Sequence, residues 1–388
     1  MTAPARELDA PLRLGSLCTG YGGLDLAASA VFDVVPAFHA EVDPAAARVL
    51  EHRFPGVPNL GDITALDWTT VPRVDVLCAG YPCQPESLAG QRKGVDDARW
   101  IWPSVAQAVR VLRPRVVLLE NVYGHLSLGF RAVLGDLAEL GFDAEWLVCA
   151  ASDLGACHQR KRLFVLAWPA DPEGDRRGEG PVPAPTPRVE GQPAHALGAA
   201  AADPDREPVR DEPVLEPRSG GAPDAGDDRP QPAADPQGVG EREPADQAHP
   251  VAEDGQARPL ARRRGLLPTP TASLARKGGP NGFYSDGTPT LTAAVQPGRW
   301  GKYAPAITMH EHFAGRPQPP ETEPDKNGKP RLSARFDEWV MALPDGWITD
   351  VPGINYNDAL RLCGNGVIPA QGEAAYRELA RRARMSDY

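Results

Sequence analysis

Between residues 12 and 168, short apolar runs alternate with stretches whose apolar positions recur every three or four residues. The runs 12–17, 34–39, 74–79, 116–119 and 163–168 have strand length and end in glycine, proline or polar turns, whereas 24–30, 43–53, 102–112 and 130–140 carry helical spacing. Strand and helix in alternation predict a doubly wound α/β domain, a parallel sheet with helices on both faces. In such sheets ligands bind beyond the carboxyl ends of the strands, so the residues that follow each apolar run are where chemistry is expected.

The alternation stops after residue 168. Residues 170–258 hold 20 Asp and Glu against 9 Arg and no Lys, which accounts for the whole formal charge of −11. The same stretch is rich in Pro, Gly and Ala and nearly free of aromatic residues, a composition that buries too little apolar surface to offset its ordering entropy. A disordered acidic insert is expected over 169–262. Ala-Asp-Pro recurs at 170, 202 and 234, but the residues between match poorly and lack apolar periodicity, which favours low complexity over a solenoid. From 263 to 330, Arg276, Lys277, Arg299 and Lys302 interleave with Phe283, Tyr284, Trp300 and Tyr303. That mixture suits phosphate contacts together with base-edge or stacking contacts.

At 388 residues and 41% hydrophobic content the chain can bury a sizeable core. Cys18, Cys78, Cys83, Cys149, Cys157 and Cys363 follow neither a disulfide framework nor a zinc spacing, so reduced thiols and no bound metal are expected. No run approaches the roughly 18 apolar residues of a membrane span, and the N-terminus has no apolar stretch resembling a signal peptide. The expectation is a cytoplasmic protein, monomeric and without a membrane partner.

Candidate chemistry sits where the strand pattern predicts it. The turn GSLCTGYGGLDLA at 15–27 has the glycines needed for a backbone to pass close to a ligand and enter a helix. Glu41, in HAEVD, ends the second run, where an acid can accept from ribose hydroxyls. Asp62, in GDIT, could accept from an exocyclic amine. Taken alone, Glu41 and Asp62 are equally readable as helix caps. GYPCQPESLAG at 80–90 follows the third run and presents Cys83 as a candidate nucleophile, although an isolated cysteine is often a buried, inert thiol. Glu120 directly follows the apolar residues of 116–119. Burial there raises a carboxyl pKa and keeps it protonated, able to donate to a ring nitrogen. In HQRKR, Arg160 and Arg162 alternate along an extended segment and are expected on one face.

These segments, in this order, resemble the DNA (cytosine-5-)-methyltransferase family: CTGYGGL, AEVD, GDI, GYPCQPES, LENV, HQRKR and, far downstream, LCGNGVIPA at 362–370. The resemblance covers 12–168 and about 331–388. It implies a Rossmann-like S-adenosylmethionine-dependent sheet with a small irregular target-recognition domain over 263–330. Residues 331–388 would form a bracing helix and return to the catalytic domain at 1–168.

By similarity, Cys83 adds to carbon 6 of a flipped-out cytosine and Glu120 acts at ring N3. Arg162 holds the base and Glu120, and Arg160 lies near the DNA backbone or the vacated stack with Gln84 and Ser87. The cofactor, S-adenosyl-L-methionine, would lie against Leu17, Cys18, Gly20, Gly22, Gly23, Glu41, Val42, Asp62, Ile63, Pro82 and Asn365. Arg276 and Lys277 would meet double-stranded DNA. A cognate restriction endonuclease and a bacterial or phage-infected cell are the implied setting.

Four residues depart from the family pattern. Glu86 stands where Phe is usual, Ser16 and Cys18 replace the usual Asp and Phe, and Gly366 replaces a usual Ser. A carboxylate at 86 disfavours a nearby thiolate and repels phosphate unless it is turned outward or paired with Arg92 or Lys93. The alternatives this leaves open are an altered cofactor or transferred group, or a weakly active DNA-binding relative. An RNA methyltransferase on the same scaffold is a further rival.

Overall fold

The structure is a computed structural model that describes residues 11–82, 101–171, 265–277, 282–284, 287–296 and 300–385. The first part runs β1 (Leu12–Leu17), α1 (Gly23–Val31), β2 (Val34–Ala40), α2 (Pro44–Arg53), β3 (Val76–Ala79), α3 (Trp102–Leu112), β4 (Val116–Val122), α4 (Phe130–Glu139), β5 (Phe142–Ala150) and β6 (Lys161–Pro169). The later part runs α5 (Leu274–Lys277), α6 (Leu291–Ala294), α7 (Ala304–Ala314), β7 (Thr322–Pro324), β8 (Pro330–Leu332), α8 (Ala334–Val340), α9 (Tyr356–Asn365) and α10 (Pro369–Arg382). The acidic insert is expected over 169–262, but Pro169 instead ends β6, and apart from 169–171 the insert lies outside the described residues.

Six strands form one sheet in the order β2-β1-β3-β4-β6-β5. β1 pairs parallel with β2 and β3, and β3 with β4, but β6 runs antiparallel to both β4 and β5. The expectation of an all-parallel sheet is therefore corrected at its far edge. Only residues 151–160 join β5 to β6, too few for a crossover helix. They turn through a 3-10 segment at Ala151–Leu154 and Gly155 at φ 102°, a left-handed conformation that favours glycine.

Alternation along the strands fills both faces. Val117 and Leu119 of β4 pack with Val105 and Val109 of α3 and Val133 and Leu137 of α4. Val116 and Leu118 pack with Ala27 and Ala28 of α1 and Tyr376 and Leu379 of α10. The C-terminal helix thus supplies one layer of the sandwich, and Tyr376 donates from its hydroxyl to Leu119 O at 3.0 Å. Outside the sheet, Val49 and Leu50 of α2 meet Trp347, Ile348 and Cys363. The segment from 265 onward shares a further cluster, in which Leu267, Leu291 and Ile307 pack against Phe336, Trp339 and Val340 of α8. Among the described residues, no helix is long and apolar enough to cross a membrane.

Candidate active site

The strand order reverses at β1, whose chain continues to β2 on one side while β3 pairs on the other, and such a switch point opens a crevice at the carboxyl ends. Leu17 ends β1 fully buried. Cys18 then takes φ 50°, with its amide donating to Ala40 O at 2.8 Å, and Gly20 and Gly22 follow at φ 59° and 86°. On the other side Gly80, just past β3, donates to Leu17 O at 3.3 Å. The glycine turn and the start of the GYPCQPES loop are therefore neighbours.

Glu41 follows β2 directly. Its Oε2 accepts from Gly20 N and its Oε1 from Asp43 N, both at 2.7 Å. It does not cap α2; Asp43 does, accepting from Ala45 N and Ala46 N. Each Glu41 oxygen keeps a second lone pair, so the carboxylate can take further donors while it fixes the turn. Beside it the Val42 side chain is 67% exposed. Asp62 accepts from Thr64 N and Thr64 Oγ1, which hold its carboxyl below the usual range. Burial, then Glu41, then Asp62, push the Cys18 thiol up to about 12, so it stays protonated between the two acids. The Ile63 side chain lies in the core cluster.

A crevice with two acids, an exposed apolar side chain and an open turn fits an adenosine-containing cofactor. Among the described residues, no heavy atom outside the turn's own neighbouring residues lies within 4 Å of where a Cβ on Gly20 would stand, so the turn leaves room for close approach.

Glu120 lies within β4 and is 8% exposed. Arg162 stands opposite Val122 in the β4–β6 ladder, diagonal to Glu120 and on the same face, and its Nε is 2.9 Å from Glu120 Oε1. Burial raises the Glu120 carboxyl, and Arg162 and then Arg160 pull it back only in part. A Cβ on Gly80 would stand 3.7 Å from Cys18 O and 3.9 Å from Glu120 Oε2, so Gly80 joins the turn to the acid. Asn121 Nδ2 donates to Tyr81 O at 3.1 Å and the Tyr81 hydroxyl contacts His125 Nε2 at 2.9 Å. The LENV segment thereby fixes the backbone immediately before exposed Pro82. Cys83, Gln84, Glu86 and Ser87 lie outside the described residues, as do Arg92 and Lys93.

Arg160 departs from its expected place beside Arg162. At φ 35° it precedes β6 rather than continuing it, so the alternation does not apply and its guanidinium turns inward, 2% exposed. It donates to Pro270 O and Gly364 O, each at 3.3 Å, and to Gly366 O. An arginine spent on main-chain carbonyls is not turned toward a DNA backbone. Asn365 ends α9, exposed, between two of those carbonyls. Arg276 and Lys277 end α5.

Two contributors are not evident from sequence. Tyr21 lies inside the glycine turn yet is fully buried, with its hydroxyl donating to Val367 O at 2.7 Å. Asp337 of α8 is also fully buried, and neither of its carboxylate oxygens has a hydrogen-bond partner among the described residues. Burial pushes its carboxyl up to about 8 despite nearby Arg160. Tyr21 was signalled only as an aromatic residue among glycines, and nothing local marks Asp337.

The chain is similar to several known proteins. The crystal structure of S. pombe Dnmt2 methyltransferase superposes with a TM-score of 0.51 at 12% identity, covering 96% of this chain and 99% of that one, a likeness of fold alone. Type II methyltransferase M.HgiBI of Herpetosiphon aurantiacus is 35% identical over 162 residues, 40% of this chain and 36% of that protein. M.HhaI of Haemophilus parahaemolyticus is 33% identical over 165 residues, 41% of this chain and 50% of its own. M.NlaIV of Neisseria lactamica is 34% identical over 140 residues, 33% of each. The match thus spans half or less of these relatives' length. Residues 12–196 match the model of the C-5 cytosine-specific DNA methylases, and over this segment the chain is similar to that family.

Proposed function

We propose that the protein transfers a methyl group from S-adenosyl-L-methionine to carbon 5 of a cytosine flipped out of double-stranded DNA, through a covalent bond to Cys83. The observation that carries this reading is the buried Glu120–Arg162 pair at 2.9 Å, set across Gly80 from the glycine turn. The family match over 12–196 and the type II methyltransferases it resembles support the same chemistry.

Leu17 to Gly23, Glu41, Val42, Asp62, Ile63, Pro82 and Asn365 would hold the cofactor, whose sulfonium supplies an electrophilic methyl group. Cys83 adds to carbon 6 as its thiolate, the form that reacts. Burial raises the Glu120 carboxyl toward protonation, and in its protonated form it donates to ring N3 and neutralises the charge that addition develops there. Arg162 fixes the carboxyl so that its proton faces the base. Carbon 5 then takes the methyl, and loss of its proton expels the cysteine. Because attack at carbon 6 and methyl transfer to carbon 5 come through the faces of the ring, which neighbouring bases cover in a stacked duplex, the base must leave the helix. Arg160 belongs with the residues that position Asn365, not with those that touch substrate.

Residues 263–330, including Arg276 and Lys277, would read the DNA site, with Gln84 and Ser87 approaching the emptied stack. The protein would act as a cytoplasmic monomer, with a cognate restriction endonuclease as a possible companion in the cell. Tritiated S-adenosylmethionine incubated with purified protein and either cytosine-containing duplex DNA or transfer RNA tests this. Label in duplex DNA is expected; label confined to transfer RNA, or in neither despite intact cofactor binding, contradicts it.

A further inference from the structure

Tyr21 belongs to the turn read as cofactor-binding, but its side chain points away from the crevice. The ring is fully buried and its hydroxyl crosses to the C-terminal segment, donating to Val367 O at 2.7 Å. Its own carbonyl accepts from Trp347 Nε1 at 2.9 Å, so backbone and side chain are both held by residues more than 300 positions downstream. Two glycines make room for the ring. A Cβ on Gly366 would overlap Tyr21 carbons, and one on Gly23 would stand 2.9 Å from the ring and overlap Val367 O. From the opposite side, Arg160 donates to Gly364 O and Gly366 O. The carbonyls of 364, 366 and 367 are therefore all engaged, and exposed Asn365 stands among them.

We infer that Tyr21 is a positioning residue that locks the glycine turn to the segment presenting Asn365, with Gly366 as its obligate packing partner. This rests on reading both segments as cofactor-binding. It also gives Gly366 a cause: the volume that a serine side chain would fill at 366 is occupied by the Tyr21 ring. The departure from the family pattern at 366 is then matched to the Tyr21 ring that fills this space.

Titration of the full chain with S-adenosylhomocysteine, alongside steady-state kinetics on duplex DNA and thermal melting, tests the coupling. Tyr21→Phe keeps the ring and loses one bond. It is expected to raise the Kd and the cofactor KM about tenfold while kcat and the DNA KM stay within about twofold. Gly366→Ala is expected to weaken binding more, by about a hundredfold, and Tyr21→Leu/Gly366→Ala to recover at least about tenfold of that loss. Residues that acted only on general stability would lower the melting temperature and leave the Kd of the folded protein unmoved. Unchanged affinity in Tyr21→Phe, or a double variant no better than Gly366→Ala, overturns the inference. If Gly366→Ala does not fold, Tyr21→Phe decides alone. Wild-type protein that takes up no S-adenosylhomocysteine overturns the functional reading and this one with it; wild-type binding with unmoved variants overturns only the role of Tyr21.

Discussion

Arg162 Nε lies 2.9 Å from Glu120 Oε1, yet burial still holds that carboxyl above its ordinary range. An ion pair at that distance would normally pull a carboxyl down, so desolvation is the larger effect here. The pair is suited to keep a proton on Glu120 while fixing where it points.

Glu120→Gln is therefore expected to lower kcat by about 10²–10⁴-fold with cofactor affinity retained, measured by tritium transfer and by titration with S-adenosylhomocysteine. Stability should move the other way. Because the folded state binds this proton more tightly than the unfolded chain, the stabilisation is complete at low pH and is lost as pH rises through the folded value. Glu120→Gln should therefore gain on wild type in denaturant midpoint as pH rises above the ordinary carboxylate range.

Removing the other partner should also be damaging. Arg162→Leu strands a buried carboxyl, and kcat/KM for DNA is expected to fall by about a hundredfold or more. Arg162→Lys should recover little, since a lysine ammonium lacks the planar fork of guanidinium. Activity in Arg162→Lys close to wild type would show that charge alone suffices.

Glu41 accepts from Gly20 N and Asp43 N, so it orders the turn as well as facing the crevice. Glu41→Ala should weaken S-adenosylhomocysteine binding by about ten- to a hundredfold, because it removes two hydrogen bonds to main chain and, on the proposed function, the ribose contacts. Calorimetry on the purified protein reads this directly, with the melting temperature as the control for folding.

Asp337 offers a second pH test, distant from the reacting base. Its carboxyl is pushed up to about 8 by burial, so the stability it contributes is full below its unfolded value and is lost as pH climbs toward 8. Asp337→Asn should match wild type near about pH 4 and exceed it by a few kcal/mol by about pH 9. Urea melts across that range would show parallel curves if the residue were indifferent to charge.

Much of this was legible in the amino-acid pattern because buried strands are written as uninterrupted apolar runs. The run at 12–17 coincides with β1, and 102–112 with α3. β5 escaped notice because it is an edge strand: FDAEWLVCA opens with Asp143 and Glu145 among its first four residues, and within its apolar run 146–150 Trp146 and Val148 are exposed. Motif order located Glu41, Glu120 and Arg162, since each follows or faces a strand end. Arg160 was misread because its positive φ breaks the alternation on which the same-face expectation rested. Tyr21 and Gly366 are 345 residues apart in numbering, and only the fold brings a ring into the space that a side chain would need. Asp337 carries no local signal at all, since burial of a carboxyl depends on what packs over it.

Covalent catalysis by Cys83 can be read most directly from duplex DNA whose cytosines carry fluorine at carbon 5, incubated with protein and S-adenosylmethionine. Fluorine cannot leave as a proton does, so the methylated adduct should persist. A DNA–protein complex stable to denaturation is expected, with peptide mass analysis placing the bond at Cys83 and with none in Cys83→Ala. Methyl transfer to ordinary DNA by Cys83→Ala, or an adduct borne by any other residue, would contradict it.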